Sequence, residues 1–93
     1  CMKFNDLVFG NLYDGKQSVV SYGDYELSII SHSYSYGGKQ GLYEIGVFHH
    51  GEQTELKGVT EDGDTIKGFL REEDVNAIMM KMVSLTTQEG VQV

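Results

Sequence analysis

The sequence predicts an α+β domain: a four-stranded antiparallel meander, five-stranded if the N-terminal arm joins it, with one C-terminal helix packed on one face. Two observations predict it. Residues 17–58 alternate apolar and polar side chains and are broken by tight-turn dipeptides, the pattern of half-buried antiparallel strands. Residues 71–85 switch to a helical period, with Val75, Ile78, Met79, Met82 and Val83 at i, i+3, i+4, i+7 and i+8. The 93 residues suffice for one modest core, so 1–93 reads as a single domain.

The arm, residues 2–15, carries Phe4, Leu7, Val8, Phe9 and Leu12 at spacings that fit neither period. An irregular arm or a short strand, pinned by these apolar groups, is expected. Cys1 ahead of Met2 reads as a remnant upstream of a natural start. Strands at 17–22 and 25–32 flank Gly23-Asp24, and glycine at the first central position favours a type II′ hairpin. That turn pairs Tyr22 with Tyr25, Val20 with Leu27 and Ser18 with Ile29. A third strand at 41–49 turns at His50-Gly51 into a fourth at 52–57, pairing Val47 with Thr54 and Ile45 with Leu56.

Joining the second and third strands with Tyr25 opposite Val47, Leu27 opposite Ile45 and Ile29 opposite Tyr43 collects one apolar face. It holds Val20, Tyr22, Tyr25, Leu27, Ile29, Tyr43, Ile45, Val47 and Leu56. A slip of one residue would turn any of these strands inside out. Residues 59–70 read as a turn-rich connector, with Asp62-Gly63 as its turn and Ile66, Phe69 and Leu70 as its anchors. The helix, 71–85, begins with Glu72, Glu73 and Asp74, where the helix dipole favours negative charge by roughly 0.3–1 kcal/mol each. The polar tail, 86–93, is expected to be flexible.

The other sheet face is less polar than a solvated face needs to be. Val19, Ile30, Leu42 and Phe48 point there, with Ile30 opposite Leu42. Either the arm covers this strip with Phe4, Leu7 and Phe9, or a second chain does, which makes the four residues a candidate oligomer interface.

The stretch SHSYSYGGKQGLYE, residues 31–44, joins the second and third strands by a loop at 33–39 too long for a tight hairpin. A phosphate cradle needs glycine-spaced amides opening a helix, and here a strand follows. Two readings stay open: a wide turn whose tyrosines fold back on the sheet, or a contact loop in which Tyr34, Tyr36, Gly37, Gly38 and Lys39 grip a partner. Tyrosine suits contact because it offers a large area at low entropy cost.

Metal, cofactor and catalytic readings each lack a required feature. His32 and the pair His49-His50 fall at opposite ends of the sheet, roughly 25 Å apart at ~3.4 Å per residue. Adjacent His49 and His50 should point to opposite faces, so no metal site is expected. Glu61 to Asp64 resembles the start of a calcium loop, but Lys67 stands where that loop requires glycine, so it reads as an acidic turn. Ser31, Ser33 and Ser35 beside His32 lack the fold context of a nucleophile and its base. No enzymatic activity and no cofactor is expected.

Composition narrows the partners. With 40% apolar and 23% charged residues, the chain reads as globular rather than disordered. Fourteen acidic against seven basic residues give a net charge of −7. Direct nucleic-acid binding is not expected, because it needs a basic stripe. Acidity instead supplies a solubilising surface, or one that competes with DNA for a basic partner. No apolar run reaches the ~20 residues of a membrane span. A single cysteine closes no disulfide within these residues, which fits a reducing compartment.

Two motifs carry a resemblance. Tyr34-Ser35-Tyr36-Gly37-Gly38 followed by Gly41-Leu42-Tyr43-Glu44, and Gly68-Phe69-Leu70 followed by Glu72-Glu73-Asp74-Val75, resemble small uncharacterised proteins of tailed bacteriophages over residues 22–85. The chain departs from that pattern at His32-Ser33 and at Arg71, where the pattern has a threonine N-cap, so the helix start should be weaker by ~1 kcal/mol. The resemblance implies a host bacterial cytoplasm and no particular activity. The expected function is a non-enzymatic phage accessory protein that binds a host or phage macromolecule, inhibiting a host enzyme or defence system. The alternatives are a nucleotide-binding oligomer and a minor virion component.

Overall fold

A computed structural model of the chain describes residues 3–87. The expectations for Cys1 and for the tail from Gln88 onward lie outside the described residues. In chain order the elements are a 3₁₀ turn (Phe4–Asp6), β1 (Gly10–Leu12), β2 (Gly15–Tyr22), β3 (Tyr25–Ser31), a second 3₁₀ turn (Gly38–Gln40), β4 (Tyr43–His49), β5 (Glu52–Gln53), β6 (Ile66–Leu70) and α1 (Glu72–Thr87). The α+β class holds: one antiparallel sheet and one C-terminal helix. The sheet has six strands in the order β1-β2-β3-β4-β5, with β6 also paired to β4. Thr86 and Thr87 close the helix rather than starting the tail.

The first hairpin forms in the expected register: Tyr22 pairs with Tyr25, Val20 with Leu27 and Ser18 with Ile29. Gly23 supplies the positive φ, +64°, that the two-residue turn demands. The second hairpin also forms as expected at its tip. His49 pairs with Glu52, Phe48 with Gln53, and the Thr54 amide donates to the Val47 carbonyl at 3.0 Å.

Beyond Gln53 the expected fourth strand ends. The connector instead folds back as β6, which pairs Ile45 with Lys67, Gly46 with Ile66 and Tyr43 with Leu70. Leu56 therefore does not face Ile45. The reason is backbone satisfaction: the remaining edge of β4 would be left with unpaired amides and carbonyls inside the fold, and β6 fills it. The central register is corrected too. Leu27 pairs with Val47 and Ile29 with Ile45, two residues away from the expected partners, so Ile30 faces Glu44 rather than Leu42. A shift of two preserves which side chains share a face.

The apolar face survives that shift. Val20, Tyr22, Leu27, Ile29, Tyr43, Ile45 and Val47 are buried under Val75, Ile78, Met79 and Met82 of α1, with Tyr25, Leu56 and Val83 at the margin. Met80, one step off the stripe, is exposed. Leu70 joins the core from β6, and Val59 plugs it from the connector, held by the tight turn in which its amide and that of Thr60 both donate to the Leu56 carbonyl. Each fully buried aliphatic or Met side chain here contributes roughly 1.5–3 kcal/mol.

The arm packs on the helix side of the sheet. Phe4 meets Tyr43 edge-on at 5.3 Å, Phe9 lies 6.0 Å from the same ring, and the Phe4 amide donates to Asn76 Oδ1 on α1 at 2.8 Å. Lys16 Nζ sits over both rings, 4.9 Å from Phe9 and 5.3 Å from Tyr43. Of the two readings for the opposite strip, cover by the arm is thereby overturned. Tyr43 belongs to the core face, and the arm follows its ring.

Candidate functional site

The face left open is built by the alternate residues of β2, β3 and β4. Across the strands run Gln17, Ile30 and Glu44; then Val19, Ser28, Gly46 and Ile66; then Ser21, Glu26, Phe48 and Gln53. Val19 is 53% exposed, while Ile30, Leu42 and Phe48 are half-buried. Gly46, in the middle, is itself buried, and a Cβ built there would touch Ile66 at 3.5 Å and Phe48 at 3.9 Å. The charges on these rows are the carboxylates Glu26 and Glu44, with no lysine or arginine among them.

At one edge of this face stand Tyr36 and Phe69, rings stacked 6.2 Å apart at 22° and both more than half exposed. Three contacts hold them there. The Tyr36 amide donates to Glu44 Oε1 at 2.8 Å, the Phe69 amide donates to the Tyr36 carbonyl at 3.3 Å, and Gly68 has no Cβ, which would overlap that of Tyr36. Phe69 was expected as a buried anchor of the connector. It lies instead at a bulge in β6 with φ +57°, a conformation that an aromatic residue adopts only against strain. A shallow cleft beside the pair is lined by Glu61, Asp64, Ile66, Lys67 and Gly68.

The loop that carries Tyr36 is tied down by hydrogen bonds. The amides of His32, Ser33, Tyr34, Ser35, Tyr36, Gly38, Gln40, Gly41 and Leu42 all donate within the protein. Gly37, with φ +83°, lets the chain pass between Leu42 and Phe69, and Gly38 packs against the His32 carbonyl. Amides already spent in this way cannot cradle an anion. Gly37 and Gly38 are half-buried against these neighbours, and Lys39 is exposed.

Tyr34 is separated from Tyr36. It is 81% exposed and joins Tyr13 and His32 in an aromatic trio at the β1–β2 turn, with ring separations of 5.1–6.0 Å. His32 is buried there, and its Nδ1 accepts from the Tyr34 amide at 3.0 Å. Asp14 Oδ1 accepts the Ser33 amide at 3.0 Å, and that hydrogen bond lowers the Asp14 pKa below its ordinary 3.8. The predicted contact set is thus split: Tyr36 borders the open face, while Tyr34 caps the end of the sheet.

The tips of the two hairpins meet at the opposite end. His50 leaves the strand in a left-handed conformation, φ +53°, which swings its ring to 4.2 Å from that of His49. The expectation that the two histidines diverge fails, because strand alternation stops at His49. The His50 amide donates to the Asp24 carbonyl at 3.2 Å, and donor atoms of Asp24, His49 and His50 come within 4.8 Å of one another. Asp24 was missed because it lies in another hairpin. The two-residue turn beside it was the one available signal.

No protein-family model, curated protein or solved structure matches the chain. Among the described residues, no helix is long and apolar enough to cross a membrane.

Proposed function

We propose that the protein is a non-enzymatic binding protein that offers its open sheet face, bordered by Tyr36 and Phe69, to another protein. The setting proposed is that of the phage proteins its two motifs resemble: a host bacterial cytoplasm, with a host or phage macromolecule as target. One observation carries this reading. The outer face carries the strip of Val19, Ile30, Leu42 and Phe48, with Val19 exposed and the other three half-buried, and among the described residues the arm that could cover it packs on the helix side. An apolar patch rimmed by polar groups is where a partner gains most from excluding water.

Charge favours a basic-rimmed partner over a second copy. Glu26 and Glu44 on the face, and Glu61 and Asp64 against the single Lys67 beside Phe69, leave a net negative surround that would repel its own equivalent across a symmetric contact and attract lysines or arginines. The nucleotide reading is less favoured, since most amides of the glycine loop already donate within the protein.

Val19→Arg and Ser28→Arg place a cation in the middle of the face without removing a core side chain. Proteins captured from infected-cell lysate by the wild type are purified and their Kd values measured against both variants. A basic protein whose Kd rises about tenfold or more with either variant supports the reading. A partner bound equally by all three forms removes the face from the account. A wild-type dimer that both variants convert to monomer assigns the face to a second copy.

A further inference from the structure

We infer that Asp24, His49 and His50 form a site for a divalent transition metal of the zinc class, clipping the tip of the β2–β3 hairpin to that of β4–β5. Their donor atoms lie within 4.8 Å of one another, with His50 Nε2 3.9 Å from Asp24 Oδ2. At that distance the two side chains make no hydrogen bond, so they are free to turn toward a shared ion. The backbone beneath them is already set, because the His50 amide donates to the Asp24 carbonyl at 3.2 Å. Tyr25 backs the His49 ring at 4.5 Å, which restricts its rotation.

Two imidazole nitrogens and one carboxylate oxygen are the donors that zinc takes, with the fourth position left to water or to a donor from outside the chain. Carboxylate-rich oxygen sites favour calcium or magnesium, whereas imidazoles select the later first-row ions. Tetrahedral bonds of ~2.0–2.1 Å would bring the donors to about 3.3 Å apart, so they must close by an ångström or so. Asp24 and His50 are largely exposed and can move that far without disturbing the core. The turn itself points the same way. Both of its central residues have positive φ, +53° at His50 and +85° at Gly51, and asparagine suits the first position better than histidine. Histidine there brings a ligand at the expense of turn fitness.

The test titrates Zn²⁺ by calorimetry, and Co²⁺ by visible absorption, into chelator-treated protein and into His50→Asn, His49→Gln and Asp24→Asn. His50→Asn keeps the turn by design, and thermal melts confirm the fold of each variant. One equivalent of Zn²⁺ bound by the wild type, with Kd raised at least about tenfold in each variant, supports the site, as does a four-coordinate Co²⁺ spectrum lost in His50→Asn. No binding to the wild type, or binding that all three variants retain, overturns it.

Discussion

Phe69 stacks on Tyr36 at 6.2 Å while its own backbone stands at φ +57°. The stack contributes roughly 0.5–1.5 kcal/mol, and the left-handed backbone costs roughly 1–2 kcal/mol, so the pair yields little net stability. Phe69→Asn exchanges both terms, since asparagine tolerates that conformation. Urea denaturation should place the variant within about 1 kcal/mol of wild type, against the 3–5 kcal/mol of a truncated core phenylalanine. Partner binding at the open face should weaken in the same variant. A large loss of stability would mean that Phe69 anchors the fold.

Tyr22 is buried on the helix side, and its hydroxyl makes no hydrogen bond among the described residues. A buried donor without a partner costs roughly 1–3 kcal/mol, so Tyr22→Phe should leave stability unchanged or raise it by about 1 kcal/mol. The same burial raises the Tyr22 pKa above its ordinary 10.0. The folded state then holds this proton more tightly than the unfolded state. Its contribution is fully present below pH 10 and is lost as pH rises through the raised value. Melts in alkaline buffer should show wild type falling faster than Tyr22→Phe.

Arg71 stands at the N-cap of α1, where its amide donates to Asp74 Oδ2 at 3.1 Å. That is half of a capping box. The missing half is an oxygen at position 71 that accepts an amide of the first turn. Arg71→Ser supplies it and should raise stability by about 1 kcal/mol, read as a higher urea midpoint at unchanged slope. An unchanged midpoint would mean that the first turn is already satisfied by other means.

What was legible before the structure follows from how far each constraint reaches. Gly23-Asp24 and His50-Gly51 are two-residue turns, and such turns set register, so the pairs beside them came out as expected. Residues 32–42 set no register, and apolar alternation is blind to a shift of two, so Leu27 found Val47 rather than Ile45. β6 was hidden because the bulge at Phe69 breaks its alternation. The arm's aromatic residues marked it as packed but could not say on which face. The histidine cluster was invisible because Asp24 reaches it only through the pairing of β3 with β4.

Asp14 offers an acid-side counterpart to Tyr22. The hydrogen bond from the Ser33 amide lowers its pKa below 3.8, so the unfolded chain takes up this proton first. The resulting stabilisation is present above that value and disappears as pH falls through the lowered one. The stability gap between wild type and Asp14→Asn should therefore narrow toward zero in acid, and carboxyl NMR should place the Asp14 midpoint below 3.8. A midpoint at or above that value would show that Asp14 and the tyrosine loop are not joined in solution.

Gly38 decides whether the SYSYGG stretch is contact or scaffold. A Cβ at this position would overlap the His32 carbonyl oxygen and come within 2.5 Å of Ser35 Oγ. Neither can retreat easily, because the Ser35 hydroxyl and amide both donate to that same carbonyl. Gly38→Ala must therefore displace the loop that holds Tyr36 against Phe69, at a loss of roughly 2–4 kcal/mol. Lys39→Ala, at an exposed position, should change stability by less than about 0.5 kcal/mol. If the face with Tyr36 and Phe69 is the contact surface, Tyr36→Ala weakens partner binding in a protein that still folds, and Lys39→Ala leaves that binding intact. A Gly38→Ala protein as stable as wild type would mean that the loop is pliable, and its glycines would return to the list of contact residues.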